Sequence, residues 1–462
     1  RAAWFAGAAM LVFVVLAFFY VDAGSLLSGY DNRPFTLGER LMTQPRIIML
    51  YISLLFYPLS SRLMFIHDVP LSHSLIDPWT TAASLLAILL LLAAAFYYSR
   101  KWPLIAFCVI FFFINHVIES SIIPLELVYE HRNYIPSMFF FVLAAVVMVR
   151  VLDYFSYKSA IQFLMVFGIC FLLAAQAHTT YDRNKVWKNE ILLWSDNAAK
   201  APGLSRTHTN LGKAYSDAGF QENAAGEFQK AIRKNRVMRK KGLAVLLHNA
   251  GLASYYTGNS EEALHHFQRA LEVNPNMEDT VTLLCQIYLK QGKLKSAFNE
   301  FQKRIEDINK VESAALLKTC ALIMYHSDNK TRAVDLAAMA LRKDPDHSDA
   351  FSILAQSYLS LGQIDKAERY GRQYLNKNPK SIEAHLALIE LYAKTREFKK
   401  MKKIATNLFC MNKKKQICDI INSKRDEANL LKTYQPQKTL IRKSLKSSLL
   451  ERAKQFSSCS EG

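Results

Sequence analysis

Two kinds of hydrophobic pattern meet near Tyr181 in this 462-residue chain, and no single globular core accommodates both. Before Tyr181 the apolar residues run without interruption. Ala2–Tyr20, Trp79–Tyr98, Ile135–Val151 and Ile161–Ala177 each approach or reach the ~20 residues a helix needs to cross hydrocarbon. Trp102–Val117 is shorter but as apolar, with Phe111, Phe112 and Phe113 near its centre and Pro103 suited to a first helical turn. Ile47–Leu59 is shorter still and is followed by Arg62, a length that fits a re-entrant or interfacial helix better than a crossing. After Tyr181 the chain is polar, basic and periodic. The mean hydropathy of +0.03 averages two regimes and describes neither.

The short loops set an orientation. Arg100 and Lys101 lie between two apolar runs, and Arg150 and Lys158 bracket the next such loop, so both loops are expected in the cytoplasm. The loop with Glu119, Glu126 and Glu130 then lies outside, as do the segment before Pro78 and everything after the last span. Long translocated domains largely escape the charge rule, so the basic second half does not contradict this.

That second half repeats itself about every 34 residues. Asn210, Leu211, Gly212, Tyr215, Gly219, Ala224, Phe228 and Ala231 define one unit. Gly251, Gly258, Ala263, Phe267, Ala270 and Pro275 define the next, and Tyr288, Gly292, Ala297 and Phe301 a third. Ala333, Ala340 and Pro345 mark a weaker fourth. Leu354, Ala355, Tyr358, Gly362, Ala367 and Pro379 mark a fifth, and Leu388 and Tyr392 begin a degenerate sixth. Small residues let two helices of a hairpin approach, aromatics fill the gap to the next hairpin, and proline ends the second helix. This is the tetratricopeptide pattern, and the named tyrosines and phenylalanines belong to its core. Stacked hairpins form a groove suited to an extended peptide or a partner helix; a rigid spacer is the plainer use. Arg239–Gly242 reads as an insertion, and Trp187–Ala199 as an amphipathic connecting helix.

The expected fold class is all-α, a polytopic helical membrane domain followed by a tetratricopeptide α-solenoid. The expected divisions are residues 1–180, with about five spans and the short helix at 47–59; a connector, 181–204; about six repeats, 205–415; and a basic, partly disordered tail, 416–462. Most of the +19 formal charge lies beyond Tyr181 and draws that half toward acidic headgroups or acidic partners. No nucleic-acid partner is expected. The seven cysteines form no CxxC and no zinc spacing, and read as small apolar fillers. No Gly-rich phosphate loop or nucleophile elbow occurs, no cofactor is evident, and a divalent metal in a longer parent is left open.

Chemistry concentrates in Glu130-His131-Arg132-Asn133-Tyr134-Ile135-Pro136-Ser137, at the outer mouth of a span. Arg132 offers a planar fork for a phosphate, and His131 exchanges a proton near neutral pH. Interfacial anchoring, with Arg132 snorkelling and Tyr134 in the aromatic belt, is the competing explanation. Glu39, Arg40, Gln44, Pro45 and Arg46 precede the short apolar helix, and His67-Asp68 follow it. His116 and Glu119 are about one turn apart and are expected to share a face.

Thr43-Gln44-Pro45-Arg46, Tyr51, Pro58, His67-Asp68, the Glu130–Ser137 run and the repeats, in that order, resemble the transmembrane and tetratricopeptide repeat-containing O-mannosyltransferase-like proteins with their bacterial relatives. That family is similar to GT-C glycosyltransferases, which move a sugar from a polyprenyl-phosphate carrier to a protein. The resemblance implies that Arg132, with His131, Glu130, Arg46, His67 and Asp68 around it, holds the carrier phosphate and that the repeats present the acceptor. The family's acidic pair lies in a first outer loop that this sequence does not contain. The chain also opens at Arg1, already inside an apolar run. The expectation is therefore an N-terminally truncated member, inactive alone, in a bacterial inner membrane with its repeats periplasmic. A non-catalytic membrane scaffold that recruits envelope or secretion proteins is the other class the sequence allows.

Overall fold

The computed structural model describes residues 28–235, 240–305 and 307–411; the expected span Ala2–Tyr20 and the tail 416–462 lie outside them. Among the described residues there are eighteen α-helices and no strand. The chain divides into two compact units, Arg1–Thr257 and Gly258–Gly462.

The first unit opens with α1 (Leu37–Phe56), which begins well before the apolar run that announced it. The reason is a capping box. The Thr36 side chain accepts from the Glu39 amide, and the Glu39 carboxylate accepts from the Thr36 amide, so the helix starts where its orphan N–H groups are satisfied. The polar half of α1 buries Arg40, Thr43 and Gln44. Its apolar half packs Ile47, Ile48 and Tyr51 into a cluster with Ile88, Phe112 and Val128. Then follow α2 (Thr80–Tyr97), α3 (Pro103–His116), α4 (Tyr134–Tyr154) and α5 (Ser159–Val186). Three stretches, Thr80–Tyr97, Glu130–Tyr154 and Ser159–Val186, are long and apolar enough to cross a membrane. The expected crossing at Trp102–Val117 forms a helix of 14 residues, shorter than those three.

The connector is α6 (Glu190–Lys200), capped by the Asn189 side chain on the Leu192 amide. The hairpin of α7 (Ser205–Asp217) and α8 (Gln221–Arg233) follows, then α9 (Lys240–Tyr256). Gly212 is required: a Cβ there would lie 2.7 Å from the Phe228 ring, which is buried with Ala224 and Ala231 against Leu246 and Ala250. Tyr215 packs on the same cluster, and Gly251 is buried.

The second unit contains α10 (Ser260–Val273), α11 (Glu278–Lys290), α12 (Leu294–Arg304), α13 (Ala314–His326), α14 (Lys330–Lys343), α15 (Ser348–Ser360), α16 (Ile364–Lys377), α17 (Ile382–Lys394) and α18 (Phe398–Met411). From α11 on, each helix packs on its sequence neighbours, and the first helices of successive hairpins, α11, α13, α15 and α17, pack in order. Ala263, Ala297, Ala333 and Ala367 are fully buried where helices come closest. Tyr288 accepts from Gln268 at 2.9 Å, and Tyr358 stacks on Tyr370 with ring centroids 5.5 Å apart. Pro275, Pro345 and Pro379 are exposed just beyond the ends of α10, α14 and α16. The fold is thus all-α, with apolar membrane-length helices followed by a tetratricopeptide solenoid.

Candidate functional site: a three-loop network beside a cleft

In the first unit three loops meet at one end of the apolar helices: residues 28–36, 57–79 and 117–133. Arg40 organises them. It has no solvent exposure, and its Nε donates to the Ser121 carbonyl at 3.1 Å while its two terminal nitrogens donate to the carbonyls of Leu125 and Glu119. One planar guanidinium thereby closes the 117–129 stretch, which has no helix or strand of its own to satisfy those carbonyls. Arg33 fixes the same loop through Pro124 O at 2.7 Å and the Glu126 carboxylate at 2.5 Å. Glu126 also meets Arg206, on α7, at 2.8 Å.

The segment after α1 is held from both sides. The Thr43 hydroxyl donates to Glu39 O at 2.6 Å and accepts the Ser72 amide at 2.9 Å, and Arg46 donates to Pro70 O at 2.8 Å. From the other side, fully buried Asn197 on α6 accepts the amides of both Phe65 and Ile66 at 2.9 Å through one oxygen. Lys200 donates to Ser60 O at 2.7 Å and Leu63 O at 2.9 Å, and pairs with Asp196, which also takes Arg183. The Phe65 ring lies edge-on between Trp187 and Trp194, at 5.6 and 5.4 Å. These bonds clasp the connector helix to a loop more than 130 residues earlier in the chain.

A cleft of about 430 Å³ opens beside this clasp. Leu54, Leu55 and Phe141 form its apolar floor, Phe65, Tyr129 and Trp187 an aromatic wall, and Glu130, His131, Asn133 and Ser137 its polar edge. Glu130 Oε1 meets His67 Nε2 at 2.9 Å and accepts the Met64 amide at 2.7 Å.

The structure therefore brings Glu130 and His67 together and places His131 at the same cleft. Arg132 turns elsewhere. Its Nη1 donates to Glu126 O at 3.0 Å, its guanidinium covers the Tyr129 ring at 4.7 Å, and its Nε is 3.8 Å from Glu119. Burial raises the Glu119 carboxyl above its ordinary value, against the pull of Arg132 and Arg40. Arg46 is bound to the Pro70 carbonyl and the Ser72 hydroxyl, and Asp68 is exposed near Gly203 at the turn into α7. His116 and Glu119 do not act as a pair. His116 is buried, stacked on Tyr51 at 5.3 Å and 3.3 Å from Asn133 Oδ1, whereas Glu119 faces Arg132.

Sequence reasoning passed over Asn197, Lys200 and Arg206, and read Trp187 only as the start of the connector and Glu126 only as a loop charge. Only their long-range partners give them meaning, and no local spacing marks them. Among the described residues no group of His, Cys, Asp and Glu is arranged to hold a metal ion. Cys108, Cys285 and Cys320 are buried free thiols, and Cys170 is an exposed one.

Tetratricopeptide-repeat family models match residues 244–277 and 325–398, so the chain carries these repeats. It is 29% identical over 175 residues to anaphase-promoting complex subunit 3 of Schizosaccharomyces pombe, covering 37% of this chain and 24% of that protein. It is 27% identical over 177 residues to the human protein O-mannosyl-transferase TMTC1, covering 38% of this chain and 19% of that protein. The chain thus spans about a quarter or less of either relative. Among solved structures it is similar to YrrB, a TPR protein with an unusual peptide-binding site: 18% identity, 42% of this chain, 96% of that chain and a TM-score of 0.35.

Proposed function

We propose that this chain is a membrane-anchored tetratricopeptide scaffold whose repeats hold a segment of another protein, with an amphiphile-binding cleft at the root of the solenoid. One observation carries the reading: Asn197 and Lys200 on the connector bond the backbone of the loop that walls the cleft, and Arg206 on the first repeat helix pairs with Glu126. A connector bonded in this way orients the first repeat relative to the cleft, which a free linker would not do. The repeats supply the binding surface. The apolar helices supply the anchor, in the divisions 1–180, 181–204, 205–415 and 416–462. The basic loops Arg100-Lys101 and Arg150–Lys158 support an orientation with the repeats outside the cytoplasm, in a bacterium the periplasm.

The test is site-specific photo-crosslinking in the native membrane. Gln286 and Thr319 bond across the first helices α11 and α13, so a photoreactive residue at Gln286 samples the surface those helices share. A discrete protein adduct at Gln286, absent from an exposed position on a second helix such as Lys295, is expected. Equal labelling at both positions would leave the repeats as a spacer.

A second reading follows the order of motifs and the likeness to the human O-mannosyl-transferase. In it the chain is the C-terminal part of a GT-C-type transferase, Arg132, His131, Glu130, Arg46, His67 and Asp68 surround a polyprenyl-phosphate sugar, and the repeats present the acceptor. The meeting of Glu130, His67 and His131 at one cleft favours it. For Arg132 to take a phosphate, its contact with Glu119 has to give way. Arg132→Lys keeps the charge but loses the two-point fork, so it should lose most binding of a polyprenyl phosphate while inserting normally. Unchanged binding would remove Arg132 from any site.

A further inference from the structure

The geometry points to a cleft selective for amphiphiles whose polar end donates hydrogen bonds, a hydroxyl or an ammonium, over those that end in a phosphate. This rests on the first reading above, that the cleft takes an amphiphile at all.

Three observations support it. First, no arginine or lysine side chain lines the cleft among the described residues. Arg132, the cation nearest in sequence, is not a lining residue: its Nη1 donates to Glu126 O, its Nε is 3.8 Å from Glu119, and its face lies over the lining Tyr129 ring. Second, the charge at the polar edge is the Glu130 carboxylate. Both of its bonds, from His67 and from the Met64 amide, converge on Oε1, which leaves Oε2 as an acceptor for a ligand. A donor head satisfies that oxygen. A phosphate would set a second anion against it, with no lining guanidinium or ammonium between the two. Third, the apolar floor continues outward. Leu54 and Leu55 lead to Phe141, which is 57% exposed on α4, a helix of membrane length. A hydrocarbon chain seated against Leu54, Leu55 and Phe141 thus reaches the exposed apolar face of α4. The volume, about 430 Å³, lies within the range of sites for small molecules.

Trp187 lines the cleft and is its own reporter. The full chain is held in nanodiscs of uncharged lipid at pH 7 and titrated with three chain-brominated probes, a dodecanol, a dodecylamine and a dodecyl phosphate. Subtracting the signal of Trp187→Phe isolates quenching at the cleft. The alcohol and the amine are expected to quench at concentrations at least about tenfold below the phosphate. Glu130→Gln removes the charge and should bring the three within about twofold of each other, through gained phosphate binding rather than lost alcohol binding. Phosphate binding as tightly as the alcohol in the unaltered chain overturns the selectivity whether or not the variant folds, and favours the carrier-phosphate reading. No Trp187-dependent quenching by any probe overturns the amphiphile reading itself.

Discussion

The three-loop network and the repeats are both packed protein, yet they are held by opposite means. The loops are tied by polar side chains that reach backbone groups 70 to 140 residues away, as Tyr51, Arg40, Asn197 and Lys200 do. In the repeats, small and aromatic apolar residues fit against the next helix along. A single lost side chain in the loops leaves several backbone groups unpaired together. In the repeats it leaves one local misfit. The two regions should therefore differ in how far damage spreads.

Arg40 tests the contrast most severely. Arg40→Met keeps much of the volume but strips the partners from the carbonyls of Glu119, Ser121 and Leu125. At about 1–3 kcal/mol for each buried group left unsatisfied, the cost is at least ~3 kcal/mol. The expected outcome is an early unfolding step for the first unit in a denaturant titration, with fast protease cleavage within 117–129 while α10–α18 stay intact. If the midpoint moved by less than an ordinary surface substitution, Arg40 would not be the organiser of these loops.

Gly212 gives the matching test in the repeats. Gly212→Ala drives a Cβ into the Phe228 ring and should cost about 1–3 kcal/mol, as overpacking of a core does. Gly226, on α8, has nothing within 4 Å of where its Cβ would sit, so Gly226→Ala should stabilise by about 0.5–1 kcal/mol. Thermal unfolding of the two variants should move in opposite directions. Two shifts of the same sign would mean that the α7–α8 approach is not as tight as the structure has it.

The same contrast explains what was legible beforehand. The repeats were readable because their spacing is their mechanism: Gly212, Ala224 and Phe228 meet within a single hairpin, so the sequence pattern is the contact pattern. The apolar helices were readable from length and composition. The site was legible only as a set of residue types near one another in the chain. Glu130 and His67 both stand out in the sequence, but their contact, and the seating of Arg132 on the Tyr129 ring, depend on how three loops fold over each other. The start of α1 lay ten residues upstream of its apolar run because the Thr36–Glu39 capping box, not hydrophobicity, decides it.

A smaller effect separates the strong repeats from the weak ones. The turn inside each hairpin needs a left-handed residue, and Gly219, Gly258, Gly292 and Gly362 supply it. In the fourth and sixth units the same place is taken by Asp328 at φ 66° and Arg396 at φ 61°. A side chain in that conformation is strained by about 1 kcal/mol, less for Asp than for Arg. Arg396→Gly should therefore raise the stability of the α17–α18 hairpin by up to ~1 kcal/mol, and Asp328→Gly should raise that of α13–α14 by less. Hydrogen exchange in α18 reads the first. Faster exchange there would show that the Arg396 side chain supports the turn rather than straining it.

The smallest effect is gated by pH and lies where the two regimes touch. His208 on α7 is nearly buried, with Nδ1 2.7 Å from the Glu227 carboxylate of α8 and Nε2 3.2 Å from Pro202 O in the turn from the connector. The two ring nitrogens thus face an acceptor each, one in the first hairpin and one in the connector turn. Lys230 takes the other Glu227 oxygen at 2.7 Å, and Lys234 reaches Pro202 O. Burial pushes the Glu227 carboxyl up, but Lys230 and His208 outweigh it and hold the group below its ordinary value of 4.5. A carboxylate depressed in the folded state contributes stability that is complete above its unfolded value and is lost as pH falls through its folded one. The contribution of the Glu227 charge to the stability difference between the unaltered chain and Glu227→Gln should thus be complete at about pH 5 and shrink below about 4.5. Urea unfolding of both proteins at stepped pH measures it. A difference that held steady to pH 3 would mean that Glu227 acts there as a neutral hydrogen-bonding group, and its ion pairs with His208 and Lys230 inside the first hairpin would have to be given up.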